Sequence, residues 1–174
     1  MTAPGWLLRV LGGLAKPTKG RVLDDEAPRP LTRDRVADYL LSRGYRFVVD
    51  DDGDLTGTWD GSRFWFLLLG DQQEILQVRG RWHRALPLEQ KRALSLAIND
   101  WNRERIWPKA YVREEEGALA VYAEVSADLE PGVTDVQLAQ LLACGLGTGV
   151  QLFAALEPAV PGDGSPTTDD VPDN

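Results

Sequence analysis

The sequence predicts an α+β domain: a mostly antiparallel sheet with helices packed on it, in the order helix, four strands, helix, two strands, helix. Three observations lead there. Apolar residues recur at helical spacing near the start, middle and end of the central region. Between them lie runs in which apolar and polar residues alternate with a period of two. These runs are joined by tight-turn sequences such as Asp60-Gly61 and Glu115-Glu116-Gly117 rather than by crossover helices, so neighbouring strands should run antiparallel.

Each element has its own warrant. Thr32 is placed to cap a first helix, with Leu31 and Val36 set to pack across its start and Gly44 to stop it. Tyr45–Asp50 alternates as a strand, putting Tyr45, Phe47 and Val49 on one side. Asp51-Asp52-Gly53-Asp54 is turn chemistry, and Leu55–Trp59 returns. Arg63–Leu69 is apolar on both sides, which predicts a central strand covered on both faces and a largely buried Trp65. Leu76, Val78 and Trp82 alternate as the fourth strand. Pro87 opens a helix to about Arg103, on the spacing of Leu94, Ala97, Ile98 and Trp101. Lys109–Arg113 and Leu119–Val125 form a second hairpin. Thr134 and Gln137 make a capping box for the last helix, whose apolar face is read as Val136, Leu141, Leu142, Val150, Phe153 and Leu156. Gly145, Gly147 and Gly149 mark close packing or a bend within it.

This order divides the chain into an N-terminal arm and linker over 1–30, one domain over 31–156, and an acidic tail over 157–174. The composition, 43% hydrophobic and 26% charged, is that of an ordinary globular protein. No uninterrupted apolar run approaches the roughly 20 residues of a membrane span. The tail holds five acids and no base and is expected to be disordered. The arm carries Trp6, Leu7 and Leu11 among basic residues; it is expected to pack on its own domain or on a partner, with a membrane-surface peptide as the alternative. A net charge of −8 repels phosphate backbones, so nucleic acid is not an expected partner.

The residues offer little for catalysis. One histidine, His83, and one cysteine, Cys144, exclude disulfide frameworks and multi-histidine or multi-cysteine metal sites. The Asp50–Asp54 cluster has its glycine in the wrong place for a calcium loop, and the glycines after Cys144 lack the lysine of a phosphate loop. His83 reads as a strand-end residue and Cys144 as a small core residue. Asp128, Glu130 and Asp135 flank a turn and a helix start, where acids stabilise free N–H groups. No catalytic, cofactor or metal residue is therefore assigned. The candidates for partner binding are Trp101, Asn102, Trp107 and Lys109, read as a polar groove edge; the competing reading makes Asn102 a helix-end cap.

The run Asn99-Asp100-Trp101-Asn102, then Trp107-Pro108-Lys109-Ala110-Tyr111-Val112, then Asp128-Leu129-Glu130-Pro131-Gly132-Val133-Thr134-Asp135 resembles the actinobacterial branch of the YbjN family over about residues 31–156. The resemblance implies a fold similar to type III secretion chaperones, small proteins that commonly dimerise and bind extended segments of other proteins. The first run of four strands is longer than their usual three. It also implies the family's label of sensory transduction regulator, and no catalytic residue. The reading is a cytoplasmic, non-enzymatic binding protein, chaperone-like or a regulatory adaptor. It would receive a protein partner at an apolar groove or sheet edge and form a homodimer through apolar residues left on the sheet. The alternative is a small-molecule sensor or cryptic enzyme with an enclosed pocket. A DNA-binding regulator is a third option, which a clustered basic face would favour.

Overall fold

The computed structural model describes residues 27–159. The strands are β1 (Val48–Val49), β2 (Leu55–Trp59), β3 (Ser62–Leu69), β4 (Ile75–Leu86), β5 (Lys109–Glu115) and β6 (Ala118–Asp128). They form one six-stranded sheet in the order β1-β2-β3-β4-β6-β5, antiparallel throughout. Among the described residues three helices accompany it: α1 (Arg33–Ser42), α2 (Lys91–Glu104, after a short 3-10 turn) and α3 (Asp135–Leu156). The element order is the predicted one. The arm with Trp6, Leu7 and Leu11, and the tail beyond residue 159, lie outside the described residues.

The local signals act as their chemistry requires. The Thr32 hydroxyl accepts from Arg35 N–H, and Gly44 takes the left-handed conformation (φ 70°) that ends α1. Asp60 and Gly61 both have positive φ, as do Glu116 and Gly117, so each hairpin closes in a two-residue turn whose twist suits the strands. Thr134 and Gln137 form the full capping box. In the Asp50–Asp54 turn, Asp50 accepts from Asp54 N–H at 2.9 Å, which is loop closure rather than cation binding.

The first strand is shorter than its alternation suggests. Tyr45 N–H donates to Leu40 O at 3.0 Å, which ties the segment to the end of α1. The chain meets β2 only at Val48 and Val49, at the sheet edge. Tyr45 and Phe47 pack on the core from a loop, while Val49 is 56% exposed. At the domain's start, Arg29 pairs with Val133 through two backbone hydrogen bonds, so order begins within the expected linker.

A larger correction concerns the faces of the sheet. The side chains of Leu55, Phe64, Phe66, Val78, Trp82, Val121 and Ala123 point one way and share a single buried core with all three helices. Helix α3 comes down at its glycines: a Cβ on Gly145 would sit 2.6 Å from Val78, and one on Gly149 would sit 2.7 Å from the Phe64 ring. The glycines therefore serve close packing, and α3 runs unbroken for 22 residues. Its buried stripe is Leu138, Leu142, Gly145, Leu146, Gly149, Leu152, Phe153 and Leu156; Val136 is 70% exposed. By length and mean hydropathy (1.5) α3 resembles a membrane span, but this stripe makes it the core helix of the layer.

The opposite face carries no helix among the described residues. Trp65 lies there, only half-buried, with the Arg63 guanidinium 5.0 Å over its ring. The run Arg63–Leu69 is central in the sheet, but helices cover only one of its sides; on the other, Leu67 is 7% exposed while Arg63, Trp65 and Leu69 keep contact with water.

Candidate functional site

The four residues expected to edge one groove are divided among three places. Trp101 is 9% exposed and belongs to the core; its indole N–H has no partner, and Arg105 lies 4.0 Å over its ring. Asn102 is neither groove edge nor helix cap, since Arg105 occupies the C-cap. Its side-chain amide clamps β5 instead: Nδ2 donates to Ala110 O at 2.8 Å and Oδ1 accepts from Ala110 N–H at 2.9 Å. Lys109 points to the open sheet face, over the Tyr111 ring.

Only Trp107 lines a groove. It stands 47% exposed beside Ile106, which is 89% exposed. The groove, about 400 Å³ and open to solvent, lies on the helix side between the α2–β5 loop and the first half of α3. The end of β6 gives its floor (Ala127, Leu129), the following turn one end (Gly132, Val133), and α3 a wall of Gln137, Gln140, Leu141 and Cys144. These four wall residues follow i, i+3, i+4, i+7 spacing, a second stripe on α3 beside its core stripe. Cys144 is thus half-buried on a groove wall, where desolvation raises its thiol pKa and keeps it protonated. The lining contains no charged side chain, so the groove offers apolar contact, two amides and the Cys144 thiol.

A second place brings together Ser62, His83 and Glu157. Ser62 Oγ lies 3.4 Å from His83 Nδ1, and His83 Nε2 lies 3.5 Å from Glu157 Oε1. The order hydroxyl, imidazole, carboxylate is that of a nucleophilic triad, and it is invisible in the sequence because the three residues lie far apart in the chain. Every member is already engaged. Ser62 is 2% exposed and accepts from His83 N–H at 3.2 Å. Glu157 also accepts from Trp82 Nε1 at 3.1 Å and Arg84 at 3.3 Å. The set fastens the end of α3 to β4 around a cavity of about 130 Å³. It also places Glu157, the expected first residue of the tail, within the folded unit. Among the described residues no three His, Cys, Asp or Glu side chains converge to hold a metal ion.

The open face is a charged lattice. Arg79 bonds Glu124 at 2.8 Å, and Arg81 bonds Glu115 at 3.0 Å. Tyr111 donates to Glu124 at 2.5 Å and Tyr122 to Glu115 at 2.6 Å, with the two tyrosine rings stacked 5.3 Å apart. Burial first, then the carboxylate each hydroxyl bonds, raise both phenol pKa values. The Tyr122 hydrogen bond in turn lowers that of Glu115, with Arg81 adding to the effect.

A family model described as "YbjN: Putative bacterial sensory transduction regulator" matches residues 32–158. The chain belongs to the YbjN family. Among solved structures it is similar to that of YbjN, described as a putative transcription regulator, from E. coli: TM-score 0.66, 13% identity, covering 78% of this chain and all of that one. At that identity the likeness shows a shared fold. The HopA1-SchA chaperone–effector complex also matches, at TM-score 0.41 and 17% identity, over 72% of this chain and 99% of that one. No curated protein matches.

Reasoning from sequence found Trp107 and missed the rest of the groove and the lattice. Both had a readable signal: the second stripe on α3, and the strict alternation of Arg63/Trp65, Arg79/Arg81 and Lys109/Tyr111/Arg113 along three strands.

Proposed function

We propose that this YbjN-family chain is a non-enzymatic adaptor that holds an apolar segment of a protein partner in the groove between α3 and the α2–β5 loop. The observation that carries this is the pairing of an uncharged, mainly apolar groove with Ile106 and Trp107, large apolar side chains left in water at its mouth. Such side chains, clustered beside a concavity, are the anatomy of a protein-binding hot spot. The sealed state of the Ser62–His83–Glu157 set supports a non-enzymatic role. The homodimer expected from apolar residues on the sheet keeps part of its motive: the uncovered face is charged along β4, β6 and β5, while Leu69, Val48 and Val49 stay exposed toward the sheet's other edge. A second copy remains a candidate occupant of the groove.

The test uses a photo-crosslinking residue in place of Gln140, in cells and in purified protein, with and without Leu141→Arg. The expected result is a discrete crosslinked protein that Leu141→Arg abolishes while the melting temperature stays within a few degrees. A product of twice the chain's mass assigns the groove to a second copy. Crosslinks that are absent, or indifferent to Leu141→Arg, refute the reading.

A further inference from the structure

We propose that the open face of the sheet binds single-stranded nucleic acid. The chain is acidic on average, but this face is not. Asp128 stands on this face at the far end of β6; nearer its middle, Arg63, Arg79, Arg81, Lys109 and Arg113 project against two carboxylates, Glu115 and Glu124. Those two carboxylates are held by Arg79, Arg81, Tyr111 and Tyr122. Among the described residues, Arg63, Lys109 and Arg113 have no carboxylate at ion-pair distance, and all three are exposed. These same three cations each lie over one of the face's three aromatic rings: Arg63 over Trp65 at 5.0 Å, Lys109 over Tyr111 at 5.4 Å, and Arg113 over Tyr122 at 5.8 Å.

Two needs of a polynucleotide are met at once. Lys109 and Arg113 are held by a ring, and Arg63 by its ring and one hydrogen bond from Nε to Thr56 Oγ1 at 3.0 Å, which leaves its terminal nitrogens for a ligand. Each can turn to a phosphate, and doing so bares the ring, or leaves the guanidinium plane, for a base to stack on. The register puts the Trp65 unit on β3 and the tyrosine units on β5 and β6, with Arg79 and Arg81 between them on β4. Three strand spacings separate β3 from β5, about 14 Å, comparable to the sheet surface on which other single-strand-binding domains lay out two or three bases. An acidic polypeptide is the poorer fit. It would gain only exposed ion pairs, which contribute little, and the face has no free backbone groups to pair with it. Steering depends on the local field, so a basic face on an acidic chain also fixes the orientation of approach.

The experiment is fluorescence anisotropy on the full chain with labelled twelve-nucleotide dT and rU oligomers. Binding is expected in roughly the 1–100 µM range at 50 mM KCl. The plot of log K against log salt should have a slope of about −2, from three neutralised phosphates. A blunt duplex of equal length should bind at least about fivefold more weakly, since its bases are not free to stack. The triple variant Arg63→Ala/Lys109→Ala/Arg113→Ala should lose at least about tenfold. Leu141→Arg in the distant groove should lose nothing, which keeps this proposal separate from the adaptor reading. If the triple variant fails to fold, the salt slope and the duplex comparison on the unaltered chain decide. No binding at 50 µM protein, a loss below twofold in the folded triple variant, or equal affinity for the duplex overturns the proposal. Polyglutamate that displaces the oligomer as well as unlabelled oligomer does would also overturn it, and would assign the face to acidic polypeptides.

Discussion

Along β3 and β4, neighbouring residues live in different solvents. Phe64, Phe66, Val78 and Trp82 are at most 2% exposed, and the glycines of α3 let a helix rest directly on them. One position along, Arg63, Trp65, Arg79 and Arg81 remain in contact with water: Arg63 lies over the Trp65 ring, and Arg79 and Arg81 pair with Glu124 and Glu115. The first set is held by excluded water and dense packing, which is non-directional and tolerates no added volume. The second is held by pairwise terms that each contribute little and respond to pH and salt. One sheet thus gives stability on one side and an adjustable surface on the other. The fold class determines that the sheet is there; which side the helices take determines what each strand residue does.

The sharpest way to break this comparison is to truncate two adjacent aromatics. Phe64→Ala should cost about 3–5 kcal/mol in urea unfolding, the range for a fully buried ring. Trp65→Ala should cost about a third of that, because Trp65 is half-buried and its cation–ring contact contributes only about 0.5–1 kcal/mol. Equal costs would mean that something covers the open face in solution. A smaller effect tests the packed side alone. Gly149→Ala ought to gain about 1 kcal/mol from helix propensity. The 2.7 Å approach to Phe64 should reverse that into a net loss of about 1–3 kcal/mol. A stabilised variant would show that α3 can lift from the sheet at no cost.

The smallest effect belongs to the charged side. The folded state lowers the pKa of Glu115, so its contribution is present above the ordinary carboxylate pKa and is lost as pH falls through the folded value. Tyr122→Phe removes the largest cause of that shift. Its stability deficit relative to the unaltered chain, measured by thermal unfolding, should therefore be larger at pH 7 than at pH 3. A deficit that does not change with pH would mean that the Tyr122–Glu115 bond is not formed in solution.

Much of this was readable in the residues. Turns written in glycine and aspartate, such as Asp60-Gly61, and caps such as Thr134 with Gln137, depend on neighbours within a few positions, so the element order follows from them. Trp65 was misplaced because a run apolar in composition does not say which of its sides meets a helix. That depends on where α1, α2 and α3 all settle, a long-range outcome. For Asn102 the sequence offers a groove edge or a helix cap, and neither holds because its partner, Ala110, belongs to another element. The groove is hard to read because Leu141 packs partly against the core and at the same time lines the neighbouring stripe with Gln140 and Cys144. The Ser62–His83–Glu157 set could not be read at all, since three distant residues share a place only once the sheet exists.

The Asn102 clamp has a meaning for how this molecule behaves in a crowded solution. A side-chain amide has the same donor and acceptor as a peptide unit, so at Ala110 the outer strand of the sheet already has a neighbour, supplied by its own helix. Because outward-facing backbone groups alternate along an antiparallel strand, the rung taken at Ala110 leaves only those at Val112 and Glu114 along the seven residues of β5. The latter bears a charge. Two rungs beside a carboxylate are a poor template for another chain to extend, whereas an uninterrupted edge invites growth into fibrils. Asn102 is in this sense a terminator on the β5 side: it takes a rung that another strand would need in order to extend the sheet there.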